Sequence, residues 1–302
     1  EEGVDVGESA ANLTSQVQEM FDFSGLKNDP TDPNNDSTNV KTTIRLMQPY
    51  GAAYAAYGHV GIQRGIQEIA LRTDKDSINS ILWGMVHEVG HQMDISEREW
   101  GEITNNMFAN NAYINNGAGD RVPYSQIQTS LAPDDASTNF DNLDYSQRLG
   151  MFWQLHLAYD NDYTYKMLNL NSDNNLDNDT FYAKLYRETR LKGVAPNENG
   201  HDSTAQTFIM RASDAVQKDL RQFFEKWGLV ASPKTNEYLD SKKYPKEDKA
   251  IYYLNDDARR IRLKAGSNTE SITMASDTAV KGSFGVDANG TQLINKSYLN
   301  QK

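Results

Sequence analysis

The sequence predicts an α+β protein, with a small sheet and a long helix in its first half and mainly helices in its second half. Apolar and polar residues alternate over residues 40–47, which is typical of a half-buried strand. Apolar residues recur at helical spacing over residues 76–93, and helical patterns dominate after residue 102. Such an arrangement favours a ligand site in a cleft between the two halves.

The first half is predicted to contain two helices, two strands and one exposed loop. A run of Asn, Asp and Pro indicates the loop, and periodic apolar residues indicate the other elements. The predicted bounds are 8–23 and 76–93 for the helices, 40–47 and 55–62 for the strands, and 28–37 for the loop.

The second half is predicted to be helical as far as Pro233, where the pattern weakens. The predicted helices cover residues 96–113, 145–159, 179–190, 203–215 and 218–226. Beyond them, a helix over 256–264 and short strands over 271–274 and 278–286 predict a small, partly β appendage.

The composition excludes several classes of protein. The 302 residues include no Cys, which excludes disulfides, thiolate metal ligands and a cysteine nucleophile. The formal net charge of −12 argues against a nucleic-acid partner, because phosphate binding needs basic patches. No apolar run is long enough to predict a membrane span. The acidic start lacks the features of a signal peptide, so we expect this chain to be part of a longer protein.

The motif His87-Glu88-Val89-Gly90-His91 is the strongest functional feature of the sequence. Residues four apart share one face of a helix, so both histidines can bind one metal ion. Glu88 can then reach the attacking water without ligating the metal. Because the chain has only 5 His, this spacing rarely arises by chance. The motif predicts a catalytic zinc site with one further protein ligand and one open position.

Three acidic residues follow the motif closely enough to supply that further ligand. Ser96-Glu97-Arg98-Glu99 has the form of a capping box, which predicts a helix beginning just after Ser96. Glu97 and Glu99 then lie in the first turn, where the helix dipole alone favours acidic residues. Glu102 lies about two turns into the predicted helix and can fold back beside the two histidines, so it is the preferred ligand.

Four segments, spread along the chain, extend the motif. They are residues 54–62 (YAAYGHVGI), 83–92 (WGMVHEVGHQ), 100–106 (WGEITNN) and 219–229 (DLRQFFEKWGL). In this order they resemble the enhancin-like M60 family of gluzincin metallopeptidases. That family has a Trp-Gly-x-x-His-Glu-x-Gly-His helix, a downstream Glu followed by Thr-Asn, and a late Asp-Leu-x-x-Phe-Phe-x-x-Trp-Gly signature.

The resemblance implies a thermolysin-like gluzincin fold, with a catalytic domain over residues 1–235 and a C-terminal extension over residues 236–302. It gives the zinc-ligand role to His87, His91 and Glu102, and the role of general base to Glu88. It also implies one catalytic Zn²⁺, a secreted or cell-surface bacterial protein, and flanking domains. The implied activity is hydrolysis of peptide bonds in glycoproteins, in particular mucin-type O-glycosylated ones.

Two other functions fit the same residues. One is a gluzincin that cleaves ordinary polypeptide without requiring a glycan. The other is a non-catalytic module that binds mucin or carbohydrate. The intact Glu88 counts against the binding module, because a protein that only binds needs no general base.

The remaining candidates are suggested by residue type and position. A peptidase of this kind needs an oxyanion donor besides the metal, and Tyr159 and His156 are the candidates, with His201 as a third. Substrate contacts are predicted for Tyr57, Gly58, Trp153 and Arg211. Gly58 would permit close approach of a substrate backbone to an edge strand, although it is also an ordinary bulge residue.

Overall fold

The computed structural model describes residues 5–40, 43–46, 51–95, 100–116, 121–131, 138–160, 180–247, 251–255 and 273–274. The chain divides into two compact units, Glu1–Asp120 and Arg121–Lys302. The helix predicted over 256–264 and the strand predicted over 278–286 lie outside the described residues.

The first unit combines four helices with a three-stranded mixed sheet within its described residues. The helices are α1 (Val6–Phe23), α2 (Arg64–Ala70), α3 (Lys75–Met93) and α4 (Asn106–Asn115). The strands are β1 (Thr43–Leu46), β2 (Ala53–Ala56) and β3 (His59–Ile62), in the order β1-β3-β2. Strand β3 runs parallel to β1 and antiparallel to β2. This small sheet with helices confirms the predicted α+β class for this unit.

The strand predicted over residues 55–62 is wrong, because this segment is a hairpin. Strand β2 ends at Ala56 and β3 begins at His59, with Ala56 opposite His59 in the register. Gly58 has a φ of +74°, which side-chain-bearing residues rarely adopt, and this allows the chain to reverse. Val60 and Ile62 are buried and anchor β3 in the core of the unit.

Helix α3 carries the metal-binding motif, and turns at residues 101–105 lead into α4. Its first turn is capped by Asp74, whose side chain accepts from the backbone N–H of Ser77 at 2.9 Å. Gly90 lets the next segment approach closely, because a Cβ at this position would lie 2.9 Å from the backbone oxygen of Asn105. Helices α3 and α4 also meet through Trp83 and Tyr113, whose rings pack edge-on with centroids 5.3 Å apart.

The second unit is mainly helical in its described part. Its helices are α5 (Tyr124–Leu131), α6 (Tyr145–Tyr159), α7 (Phe181–Lys192), α8 (Ser203–Val216), α9 (Arg221–Lys226) and α10 (Pro233–Lys242). Two short antiparallel strands, β4 (Leu254–Asn255) and β5 (Thr273–Met274), follow. Helices α5 and α10 were not predicted from the sequence. None of the described helices has the length and apolar character needed to span a membrane.

Helix α6 is the centre of the second unit. Asp144 and Gln147 form a capping box at its start, and every residue from Leu149 to Tyr159 is buried. Around it, Phe152 and Phe208 lie 5.0 Å apart between ring centroids. The predicted division between residues 1–235 and 236–302 stays a prediction.

Candidate metal centre

Glu102 lies in a turn between α3 and α4. The helix predicted over residues 96–113 is wrong for residues 101–105, because these form turns and α4 begins at Asn106. Glu102 has a φ of +64°, a left-handed backbone conformation that costs a residue with a Cβ about 1–2 kcal/mol. The backbone oxygen of Glu102 accepts from Asn106 Nδ2 at 2.6 Å, which stabilises this turn. The predicted capping box over residues 96–99 lies outside the described residues.

The turn brings the Glu102 carboxylate to the two motif histidines. Glu102 Oε2 lies 3.0 Å from His87 Nε2, and Oε1 lies 3.4 Å from His91 Nε2. The donor atoms of the three side chains all lie within 4.8 Å of one another. Ligands of a tetrahedral zinc ion with bonds of about 2.0–2.1 Å are roughly 3.3 Å apart. Two imidazole nitrogens and a carboxylate oxygen at this spacing therefore fit a divalent metal such as zinc.

Two asparagines after Glu102 contact the motif histidines. His87 Nδ1 lies 2.7 Å from Asn106 Oδ1 and 3.2 Å from Asn105 Nδ2. Because an amide oxygen can only accept, the shorter contact assigns the proton to Nδ1, and the Nε2 lone pair then faces the candidate metal position. Asn105 is fully buried, and its Nδ2 lies 3.0 Å from His91 Nε2 and 3.3 Å from the backbone oxygen of His87. A metal bound to His91 Nε2 would replace the contact of that atom with Asn105 Nδ2. Asn105 Nδ2 would then keep the backbone oxygen of His87 as its acceptor.

Glu88 lies beside the three donors in a pocket of about 530 Å³. Besides Glu88 and the donors, the pocket is lined by Gln92 and by the whole of strand β2. Burial is the main cause that raises the pKa of Glu88 above its ordinary value, with Glu102 acting in the same direction and His87 and His91 acting against it. A half-buried carboxylate of raised pKa is suited to accept and return a proton.

Strand β2 forms the wall of the pocket and the edge of the sheet. Among the described residues its strand partner is β3, so its other edge faces away from the sheet. Tyr54 lies over Gly61, where a Cβ would come 2.3 Å from the tyrosine ring. The Tyr54 hydroxyl is 3.4 Å from His59 Nε2. Gly61 therefore provides the space in which this ring packs at the edge strand.

The predicted oxyanion donors are engaged inside the second unit. Tyr159 is buried, and its hydroxyl donates to Glu247 Oε2 at 2.5 Å. His156 is also buried and forms a short hydrogen bond with Asp160. These contacts are those of core residues, so the structure does not support an oxyanion role for either side chain. His201 is half-buried just before α8.

Two of the predicted substrate contacts are also core residues. Trp153 is fully buried with its ring against that of His156, at a centroid distance of 4.2 Å. Arg211 is buried, and its Nη1 donates to Asp214 at 3.2 Å. Neither side chain presents the exposed surface that sugar binding needs. Tyr57 and Gly58, in contrast, form the tip of the β2–β3 hairpin, and Tyr57 is fully exposed.

Three contributions to the site were missed from the sequence. Asn106 was not predicted to be the hydrogen-bond partner of His87. Gln92 lines the pocket and hydrogen-bonds the hairpin, and Tyr54 lies in the wall formed by β2. The available signal for Gln92 was its position directly after the second motif histidine.

A helix-borne histidine pair, a carboxylate ligand and an adjacent glutamate form the kind of site found in metal-dependent peptidases. The family model of peptidase M60, enhancin and enhancin-like, matches residues 5–228. The chain therefore belongs to the M60 peptidase family, as its sequence motifs indicated. A search of curated proteins found no match.

Solved M60 structures from Clostridium perfringens have a similar fold. The chain is 26% identical to ZmpB in a structure of its CBM32-1, CBM32-2 and M60 catalytic domains, with a TM-score of 0.63 over 83% of this chain and 24% of that chain. A ZmpB metallopeptidase structure gives 25% identity and a TM-score of 0.62, covering 84% and 47%. The M60 catalytic domain of ZmpC, in complex with the sialyl T antigen, gives 25% and 0.58, covering 82% and 45%. The chain thus spans less than half the length of these proteins.

Proposed function

We propose that this chain is a zinc-dependent endopeptidase that hydrolyses peptide bonds in O-glycosylated proteins of the mucin type. The observation that carries the proposal is the convergence of His87, His91 and Glu102 beside Glu88 in one pocket. The M60 family match supports peptidase activity, and the adjacent edge strand offers a place for a polypeptide substrate.

Each residue of the site has one proposed role. His87, His91 and Glu102 hold the metal through two nitrogens and one carboxylate. When bound, Zn²⁺ supplies Lewis acidity toward the scissile carbonyl and lowers the pKa of a water ligand. Glu88 accepts a proton from the attacking water and later delivers it to the departing amine. Asn106 keeps His87 in the tautomer whose Nε2 is free to ligate.

The substrate chain is proposed to lie along β2. An extended peptide can add to an exposed strand edge through backbone hydrogen bonds, which requires no particular substrate sequence. The β2 residues beside the pocket are Ala53, Tyr54, Ala55 and Ala56, and three of these four have small side chains. Small side chains leave room for bulky groups, such as sugars, on the bound chain.

The glycan requirement is proposed from the relatives. The M60 domain of ZmpC has been solved in complex with the sialyl T antigen. The ZmpC chain in that structure is more than twice as long as the part that this chain matches. The net charge of −12 opposes long-range attraction of acidic, sialylated mucins. We therefore favour neutral core glycans as the ligand. Tyr57, exposed at the hairpin tip, remains a candidate for stacking on a sugar.

The cellular setting is proposed on the same basis. Glycoprotein substrates imply a secreted or cell-surface bacterial enzyme, and ZmpB carries its M60 domain next to CBM32 domains. A longer parent chain with flanking modules would agree with the partial coverage of these relatives.

Cleavage assays test the proposal and its alternatives. The zinc-loaded chain is incubated with a mucin-type glycoprotein and with its deglycosylated form, each with and without a chelator. We expect cleavage of the glycosylated form alone, abolished by the chelator. Cleavage of both forms would indicate a peptidase without glycan dependence. Binding of the glycoprotein without cleavage would indicate a binding module and contradict the proposal.

A further inference from the structure

Gln92, which follows His91 directly, joins the metal-binding helix to the β2–β3 hairpin. Its Oε1 accepts from the backbone N–H of Gly58 at 3.0 Å, and its Nε2 donates to the backbone oxygen of Ala56 at 2.8 Å. These two backbone groups flank Tyr57, so one side-chain amide pairs with both sides of the turn. Reversing the amide would oppose donor to donor and acceptor to acceptor, so the contacts themselves fix its orientation.

The amide acts at the end of the strand that lines the pocket. Ala56 is the last residue of β2, and both β2 and Gln92 line the pocket that contains Glu88. The hairpin is also held independently, because Val60 and Ile62 are buried and β3 pairs with β1. Loss of the amide would therefore leave the hairpin folded but would remove this tie between the end of β2 and α3.

We propose that Gln92 is a positioning residue that fixes the edge strand at the metal centre. The inference rests on the proposed function, in which the substrate backbone pairs with β2 while Glu88 directs the attacking water. A displacement of β2 would carry the bound chain with it, and displacements of about 1 Å in a reacting pair cost about a hundredfold in rate. The hydrogen bonds of Gln92 oppose that displacement, because they tie the hairpin to the residue next to the ligand His91 on α3.

Two substitutions separate the hydrogen bonds of Gln92 from its shape. Gln92→Met keeps the length of the side chain and removes both bonds, whereas Gln92→Glu keeps the acceptor for Gly58 and loses the donor to Ala56. Gln18→Met is the matched control, because Gln18 is exposed on α1 and bonds to Asp22 of the same helix. The full chain is used for each variant.

Three measurements are made on each variant. Hydrogen exchange reports on the amide of Gly58, and metal analysis reports on zinc per chain. Steady-state kinetics are then measured with a glycopeptide of about ten residues and with a truncated one of about four residues that keeps the same bond and glycan. The short peptide makes fewer backbone contacts with β2, so its binding depends less on the position of that strand.

For Gln92→Met we expect about tenfold faster exchange at Gly58 and unchanged zinc content. kcat/KM for the long peptide should fall about tenfold, because the bound chain is held less tightly and is displaced from Glu88, with less than a twofold change for the short peptide. Gln92→Glu should lose at least as much as Gln92→Met, because its second carboxylate oxygen opposes the backbone oxygen of Ala56. Gln18→Met should match the wild type. Equal losses on both peptides, or unchanged exchange at Gly58, would overturn the proposal. If the wild type cleaves neither peptide, the proposed function fails, while the exchange result still decides whether the amide holds the hairpin.

Discussion

The left-handed backbone of Glu102 allows metal binding to be separated from backbone strain. At a φ of +64°, any residue with a Cβ carries a cost of about 1–2 kcal/mol, which glycine avoids. Glycine in turn loses about 0.4–1 kcal/mol through the greater entropy of the unfolded chain. Glu102→Gly should therefore be more stable than Glu102→Ala by roughly 0.5–1 kcal/mol. In the helix that the sequence predicted here, alanine would instead be the more stable by about 1 kcal/mol.

The comparison is made by thermal unfolding of both variants in the presence of a chelator, so that metal binding does not contribute. We expect the midpoint of Glu102→Gly to be about 1–2 °C higher than that of Glu102→Ala. Both variants should bind zinc much more weakly than the wild type, because two imidazoles remain as protein ligands. An alanine variant as stable as the glycine variant, or more stable, would refute the strained turn. Wild-type zinc affinity in either variant would refute the ligand role of Glu102.

Three further predictions concern the surroundings of the site and the second unit. Gly90→Ala should lower the free energy of unfolding by about 1–3 kcal/mol, because its Cβ would lie 2.9 Å from a backbone oxygen. Gly84→Ala on the same helix meets nothing within 4 Å and should raise that free energy by up to about 1 kcal/mol, and urea unfolding of both variants tests the contrast. Asn106→Ala should weaken zinc binding about tenfold or more, because His87 loses the acceptor that fixes its tautomer; a change below twofold in competition with a chelating dye would contradict this. Burial alone would raise the pKa of Asp219, but hydrogen bonds from Arg221 outweigh it and lower the pKa below 3.8. Asp219 thus contributes stability above its unfolded pKa that is lost as the pH falls through the lower folded pKa, so Asp219→Asn should flatten the dependence of Tm on pH below about 5.

Helix α3, which carries the metal-binding motif, could be predicted from the sequence because its determinants are local. Helical spacing of apolar residues gave bounds of 76–93, against the observed Lys75–Met93. The spacing of His87 and His91 on one helix face follows from the same periodicity. The Glu102 carboxylate was also expected near both histidines, and its oxygens lie 3.0 Å from His87 Nε2 and 3.4 Å from His91 Nε2.

The path by which Glu102 reaches the histidines could not be predicted. The capping-box pattern at Ser96 predicted a helix through Glu102, but the observed turn depends on tertiary contacts. Gly90 permits the backbone of Asn105 to approach, and Asn106 holds the backbone oxygen of Glu102. Such contacts between α3 and the segment after it leave no periodic signal in the sequence.

The burial of aromatic and charged side chains was equally beyond the sequence. Tyr159 and Arg211 were assigned functional roles from residue type, yet both are buried and bonded within the second unit. The partner of Tyr159, Glu247, is far along the chain and no spacing rule links the two. Asp214 is three residues after Arg211 on α8, so helix spacing makes that pair possible but does not predict that it is buried. The exposed position of Tyr57 and Gly58 at a turn is different, because a glycine within a strand pattern itself indicates a bend in the chain.

Zinc content and turnover of Glu88→Ala test the central claim most directly. The substitution removes the proposed general base and leaves the ligands His87, His91 and Glu102 in place, with Glu225→Ala as a control at an exposed glutamate on α9. We predict one zinc per chain in the wild type and both variants, glycopeptide cleavage by the wild type and Glu225→Ala, and none by Glu88→Ala. Wild-type turnover by Glu88→Ala with bound zinc would contradict the account.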